Sequence, residues 1–222
     1  MKLHEIKNME MLKDVKDSFD SRIIAALRQT DREFFVPSVV KHSAFHLDNA
    51  LPISDEQWIS APLTVAKMTT YLMAYDLGNS VLEPDSVLEI GLGSGYQAVV
   101  LSHIIRRVFS IERIESLWLE ARERISKLQI MNINIKLDDG MNGWANFAPY
   151  DRILLSACTE NIPSTLFSQL QVRGVLVAPV YHNGGQVIMR FVKQSNKTIT
   201  SHILESCSFV PIKQGVMRLG SL

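Results

Sequence analysis

The sequence predicts an α/β fold: a doubly wound, mainly parallel sheet with an N-terminal helical cap and antiparallel C-terminal strands. Three observations predict it. From Ser86 onward, short apolar runs alternate with segments of helical period, the pattern of parallel strands joined by crossover helices. The first run ends in a glycine-rich turn, Gly91-Leu-Gly-Ser-Gly95, as expected where a strand hands over to a helix. The chain before residue 80 has helical and irregular segments but no comparable alternation.

The elements follow in order. Residues 11–29 read as one amphipathic helix, because Leu12, Val15, Phe19, Ile23, Ala26 and Leu27 recur at steps of three and four. Pro37 closes that region, since proline resists continuing a helix. Residues 41–60 read as irregular. Residues 62–77 are helical again, with Val65, Met68, Leu72 and Met73 on one face. Strands are expected at 87–90, 107–111, 133–137, 150–156 and 174–179. Helices at 97–105, 115–128 and 162–170 follow the first, second and fourth of them. Two further strands, 186–193 and 198–209, read as antiparallel. Residues 1–222 are expected to form a single domain, with 1–80 as a cap on the substrate side and 81–222 as the core.

Composition bounds the function. The chain has 222 residues, 46% of them hydrophobic, enough for a core that buries roughly 70% of the unfolded surface. Its 23 basic and 23 acidic residues cancel, so no basic excess points to nucleic acid. No run reaches the roughly 20 apolar residues that span a bilayer, and the opening 19 residues lack the apolar core of a signal peptide. Cys158 and Cys207 have no ligand spacing and read as reduced thiols of a cytoplasmic protein. The histidines are scattered, and no metal is expected.

The glycine turn carries the chemistry. Ligands of open α/β sheets bind beyond the carboxyl ends of the strands, where Gly91, Gly93, Ser94 and Gly95 lie. A dinucleotide fingerprint wants its third glycine where this chain has Tyr96. Glu89, at the end of the strand, would repel a pyrophosphate and suit a cationic amino-acid moiety. Glu112 ends the second strand, 21 residues after Gly91, where a carboxylate can accept from both ribose hydroxyls. Asp139-Gly140 follows the third strand, on the side of an adenine ring, with Asp138 as a neighbouring alternative. A nucleoside cofactor without phosphates, S-adenosyl-L-methionine, fits these features.

With these residues in hand, the chain resembles the protein-L-isoaspartate O-methyltransferases. The carriers are Phe35-Val-Pro37, Ala50-Leu-Pro-Ile53, Ile59-Ser-Ala-Pro62, Val65-Ala-Lys-Met-Thr69, the stretch from Val87 to Gln97, and Ser110-Ile-Glu-Arg113. Asp139-Gly140, Gly143-Trp144, Ala148-Pro-Tyr-Asp151, Pro179-Val180 and Phe209-Val-Pro211 complete them. The resemblance implies a methyltransferase fold with an altered strand order at the C-terminus. It implies transfer of a methyl group to the free α-carboxylate of L-isoaspartyl residues in aged proteins and peptides, which begins their repair, with S-adenosyl-L-homocysteine as by-product. By position the family's active-site serine falls on Ser60. The acceptor groove is expected to involve Ala61, Thr64 and the main chain at Val210. Two positions where the family usually has glycine are Ser54 and Glu56 here. Trp58 replaces a threonine, and Leu63 a histidine or tyrosine. A different carboxylate or protein acceptor is the alternative these changes leave open.

Ser60 reads as a hydrogen-bond donor that orients the acceptor, not as a nucleophile. A free carboxyl has a pKa of about 3.3–3.9 and is already ionised, so no general base is required. Ser60 also reads as a helix N-cap, since Pro62 follows at an early helical position. A monomer is expected.

Overall fold

The computed structural model describes residues 1–74 and 83–220. Its centre is a seven-stranded sheet made of β3 (Ser86–Ile90), β4 (Arg107–Glu112), β5 (Ile133–Leu137), β6 (Tyr150–Leu155), β7 (Leu170–His182), β8 (Gly185–Ser195) and β9 (Thr198–Ser206). The order is β5-β4-β3-β6-β7-β8-β9. The pairs from β5 through β7 are parallel, and β7-β8-β9 is an antiparallel meander. Every residue of β3, the strand at the reversal of order, is buried. Such continuous burial is what a parallel strand covered on both faces requires.

Helices cover the two faces unequally. On one face α3 (Pro62–Met73), α4 (Tyr96–Ser102) and α5 (Glu115–Lys127) join the N-terminal helices around Val87, Val108 and Leu154. On the other face α6 (Ser164–Gln169) and two 3-10 turns cover Leu88, Ile90, Phe109, Ile153 and Leu176. There Trp144 and Tyr150 pack edge-on against Phe109, and Phe147 stacks on it.

The expected helix over 11–29 is two helices, α1 (Leu3–Leu12) and α2 (Ser21–Gln29). The break has a local cause. Asp20 takes the N-cap of α2, its carboxylate accepting from the Arg22 amide at 2.8 Å. Such a cap is worth about 1 kcal/mol, and it competes with an unbroken helix. Asn8 then ties α1 to the far end of α2, donating to the Leu27, Arg28 and Thr30 carbonyls at 3.0 Å each.

Other boundaries also move. The expected helix over 62–77 ends at Met73, and its residues 75–77 lie outside the described residues. The last strand stops at Ser206 rather than 209. β7 is longer than the expected 174–179, because residues 175–182 pair with β8. Residues 41–60 are not wholly irregular: β1 (Leu51–Pro52) and β2 (Trp58–Ile59) form a small antiparallel hairpin. Asp55 and Glu56, at its tip, both have φ near +58°. Asp is common there, but for Glu the left-handed region costs about 1–2 kcal/mol. The glycine usual at position 56 in the resembling family has a physical reason.

Candidate functional site

One cavity opens beyond the carboxyl ends of β3, β4 and β6. The turn 91–94 forms its floor, Glu112–Ile114 one side, and Ser156-Ala157 another. The β1–β2 hairpin brings Gln57, Trp58 and Ser60 across from the turn. Residues 210–213 of the C-terminal tail close the remaining wall.

The turn is built from its glycines. Gly91, Gly93 and Gly95 all have positive φ, at 96°, 52° and 91°, where glycine alone is free of strain. Gly140 is needed for a different reason. A Cβ there would lie 2.3 Å from Cγ2 of Ile90, so the loop after β5 could not approach β3. The turn's amides are largely spent within the protein. Gly91 and Leu92 donate to the Ile111 carbonyl at 2.9 and 3.1 Å, and Gly95 donates to the Leu92 carbonyl at 2.9 Å. Gly93 donates to Glu112 Oε2 at 2.8 Å. Few amides are left to cradle a phosphate, and a carboxylate stands where a pyrophosphate would need cations. This donor set suits an uncharged nucleoside with a cationic side arm.

Glu112 is 5% exposed. Its other oxygen, Oε1, accepts from the Arg113 and Ile114 amides at 2.8 and 2.9 Å. Burial raises its pKa, and the three amides pull it back. A carboxylate has about four acceptor positions, so the backbone leaves room for one more donor. A grip on two hydroxyls would require Gly93 to release its bond.

Glu89 sits elsewhere than expected. It does not reach the cavity wall. It shares a face of the sheet with Ser110, its registered neighbour on β4, and is 0% exposed. Ser110 Oγ donates to Oε2 at 2.6 Å, and a hydrogen bond with the side chain of Ser156, on the cavity wall, offsets a further part of the cost of burial. The physical reason is the pleat: alternate side chains of β3 enter opposite faces, and Glu89 enters the helix-covered one beneath the turn. Burial lifts its pKa to about 8. The folded chain therefore holds a proton here that the unfolded chain loses near its ordinary carboxylate value. Stability from this group is full below that value and is lost as pH rises through about 8. Melting temperatures recorded from pH 5 to 9 are expected to fall across this window, and Glu89→Gln is expected to flatten the fall. An unchanged slope in that variant would show that Glu89 stays ionised.

The remaining predicted positions divide. Ser60, Gly91, Gly93, Ser94, Glu112, Gly140 and Val210 line the cavity; Ala61, Thr64, Gly95 and Asp139 do not. Gly95 is the left-handed N-cap of α4. Asp139 spends its oxygens on the amides of Met141 and Gly215, at 2.9 and 2.8 Å, and so pins the tail. Asp138 is paired with Lys136, whose cationic hydrogen bond lowers its pKa. The N-cap of α3 is Ala61, not Ser60. The Ser60 hydroxyl has no hydrogen bond among the described residues and is left to the cavity. Cys158 belongs to a neighbouring groove, buried, with its thiol pushed up to about 11 by burial. Sequence reasoning missed Gln57, Arg113, Leu117 and Lys213 as wall residues. Arg113 directly follows Glu112, and that adjacency was the available signal. Lys213 gave none.

A family model described as protein-L-isoaspartate(D-aspartate) O-methyltransferase matches residues 5–217. The chain belongs to this family. A protein-L-isoaspartate O-methyltransferase of Helicobacter pylori strain G27 is 51% identical over 216 residues, covering 96% of this chain and 100% of its own length. One of Aeromonas hydrophila is 38% identical over 215 residues, covering 97% and 98%. Among solved structures, a family member from Plasmodium falciparum in complex with S-adenosyl-L-homocysteine superposes with a TM-score of 0.79. It shares 23% identity and covers 96% of this chain and 99% of that one, a likeness of fold. In this protein-L-isoaspartate O-methyltransferase family member the cavity lies at the reversal from β4-β3 to β6.

Proposed function

We propose that this chain transfers a methyl group from S-adenosyl-L-methionine to the free α-carboxylate of L-isoaspartyl residues in damaged proteins and peptides. The product esters then return toward aspartyl residues, and S-adenosyl-L-homocysteine is released. The observation that carries the reading is one cavity holding both parts of such a site. The glycine turn and Glu112 lie on one side, and a serine hydroxyl with no partner among the described residues lies on the other. Family membership over nearly the whole chain favours the isoaspartyl acceptor over another carboxylate.

The cofactor supplies an electrophilic sulfonium methyl when bound. Gly91, Gly93 and Ser94 would lie against it, Glu112 would accept from a ribose hydroxyl, and Gly140 leaves room beside Ile90. Glu89, beneath the turn, is held neutral by burial at neutral pH and would add a negative charge near a bound cation only as pH rises through about 8. Ser60 donates to one oxygen of the acceptor carboxylate and aims the other, which must come within about 3–3.5 Å of the reacting carbon. No residue needs to remove a proton, and among the described residues no histidine lines the cavity. The hairpin and tail keep bulk water out, which strengthens the attraction between carboxylate and cation.

The balanced charge gives no basic surface excess to attract nucleic acid, and unpaired cysteines fit a cytoplasmic setting. Among the described residues, no helix is long and apolar enough to cross a membrane. Labelled methyl transfer to a matched peptide pair, one with L-isoaspartate and one with aspartate at the same place, tests the reading. Base-labile label on the isoaspartyl peptide alone is expected. Label on neither, with cofactor binding intact, would overturn it.

A further inference from the structure

Arg32 opens a short 3-10 turn, Arg32–Phe35, and is 0% exposed. Among the described residues its guanidinium meets carbonyls and an aromatic ring. Nη1 donates to Ala44 O at 3.0 Å, and Nη2 donates to Asn49 O at 2.7 Å and Ser60 O at 3.1 Å. Nε has no hydrogen-bond partner among the described residues. The Cζ atom lies 5.8 Å from the centroid of the Tyr96 ring, and that ring is part of the cavity wall. No carboxylate pairs with Arg32 among the described residues. Burial lowers its pKa to about 10, so it is still a cation at neutral pH.

A buried cation without a counter-ion is costly. Three neutral donors would satisfy three carbonyls without that cost. What the charge adds is a firmer hold on the Ser60 peptide, since charge-assisted bonds are shorter and about twice as strong as neutral ones. The planar fork of the guanidinium also fixes the hold in direction. Because the carbonyl of Ser60 is anchored from behind, the same residue's side chain projects from a fixed backbone. The anchor spans the loop after α2, the hairpin, and the first residue of α4, which begins at the glycine turn.

We propose that Arg32 is a positioning residue for methyl transfer: it holds the Ser60 peptide so that the hydroxyl meets the acceptor carboxylate across from the glycine turn. This rests on the reading of Ser60 given above. The test is a double-variant cycle with the full-length chain and a matched isoaspartyl peptide. Arg32→Lys keeps the charge but loses the fork. It is expected to lower kcat by about tenfold or more while the dissociation constant of S-adenosyl-L-homocysteine stays within about twofold. In a Ser60→Ala background the same change is expected to have less than about a twofold effect, because the group it positions is gone. Equal losses in both backgrounds would make Arg32 a merely structural residue and overturn the proposal, and so would an unchanged kcat. Full activity in Ser60→Ala alone would instead overturn the reading of Ser60, and the proposal with it. Should Arg32→Lys fail to fold, the NMR signal of the Arg32 guanidinium in the unaltered chain gives a second readout. Adding the isoaspartyl peptide with S-adenosyl-L-homocysteine is expected to shift it, and the same addition to Ser60→Ala is expected not to. A shift in both proteins, or in neither, would count against the proposal.

Discussion

Ser60→Ala is expected to lower turnover of an isoaspartyl peptide by about 10–1000-fold, the cost of losing one oriented donor at the reacting centre. The structure sharpens this expectation. Had Ser60 capped α3, its loss would have been a stability effect. Ala61 holds that position, with no side-chain cap, so alanine at 60 leaves the helix start as it is. The melting temperature and the affinity for S-adenosyl-L-homocysteine should therefore be close to those of the unaltered chain. The loss should appear in kcat more than in KM if the hydroxyl aims an already bound carboxylate. Turnover equal to the parent's would remove Ser60 from the mechanism. A fall in turnover matched by an equal fall in melting temperature would assign it to the fold instead.

Glu112→Gln should act on the other half of the cavity. The carboxylate accepts from Gly93, Arg113 and Ile114. An amide has one acceptor oxygen, and its NH2 group would face at least one of those N–H donors. A hydrogen bond to a charged group is worth about 1.5–3 kcal/mol, and a buried donor left unpaired costs a similar amount. The dissociation constant of S-adenosyl-L-homocysteine, measured by calorimetry, is expected to rise about 100-fold, since each 1.36 kcal/mol is tenfold. The turn at Gly93 should loosen at the same time, visible as faster amide exchange there. An affinity within threefold of the parent's would mean that Glu112 serves the turn and not the ligand.

Much of this was legible in the sequence, and the physical reason is locality. The order of strands and helices from residue 86 follows from runs whose period is set by their own residues, and the structure reproduces it to within a few positions. The glycine turn is local too: Gly91, Gly93 and Gly95 take conformations other residues resist, so their spacing announces the bend. The face taken by Glu89 was also readable in principle. It shares its side of β3 with Val87, while Leu88 and Ile90 enter the opposite core. Other features depend on distant parts of the chain. Arg32 looks like an ordinary charge after Asp31 until the fold wraps the Ala44, Asn49 and Ser60 carbonyls around it. Lys213 enters the cavity wall only because the tail is pinned elsewhere. The break between α1 and α2 is hidden because the apolar steps from Leu12 to Leu27 run through it, whereas the cap at Asp20 acts on the backbone.

The tail has a consequence for how the site comes into being. Residues 210–213 supply one wall. The residues just beyond them hold that wall in place: Gly215 bonds to Asp139 and Arg113, Met217 to Arg113 and Glu115, and Leu219 to Glu115. In chain order these residues follow Ser60, the glycine turn and every strand of the sheet. A nascent chain can form the sheet from β3 to β7 and still have an open-sided site. Closure of the cavity is thus separable from formation of the sheet: it waits on contacts the tail makes with Asp139, Arg113 and Glu115.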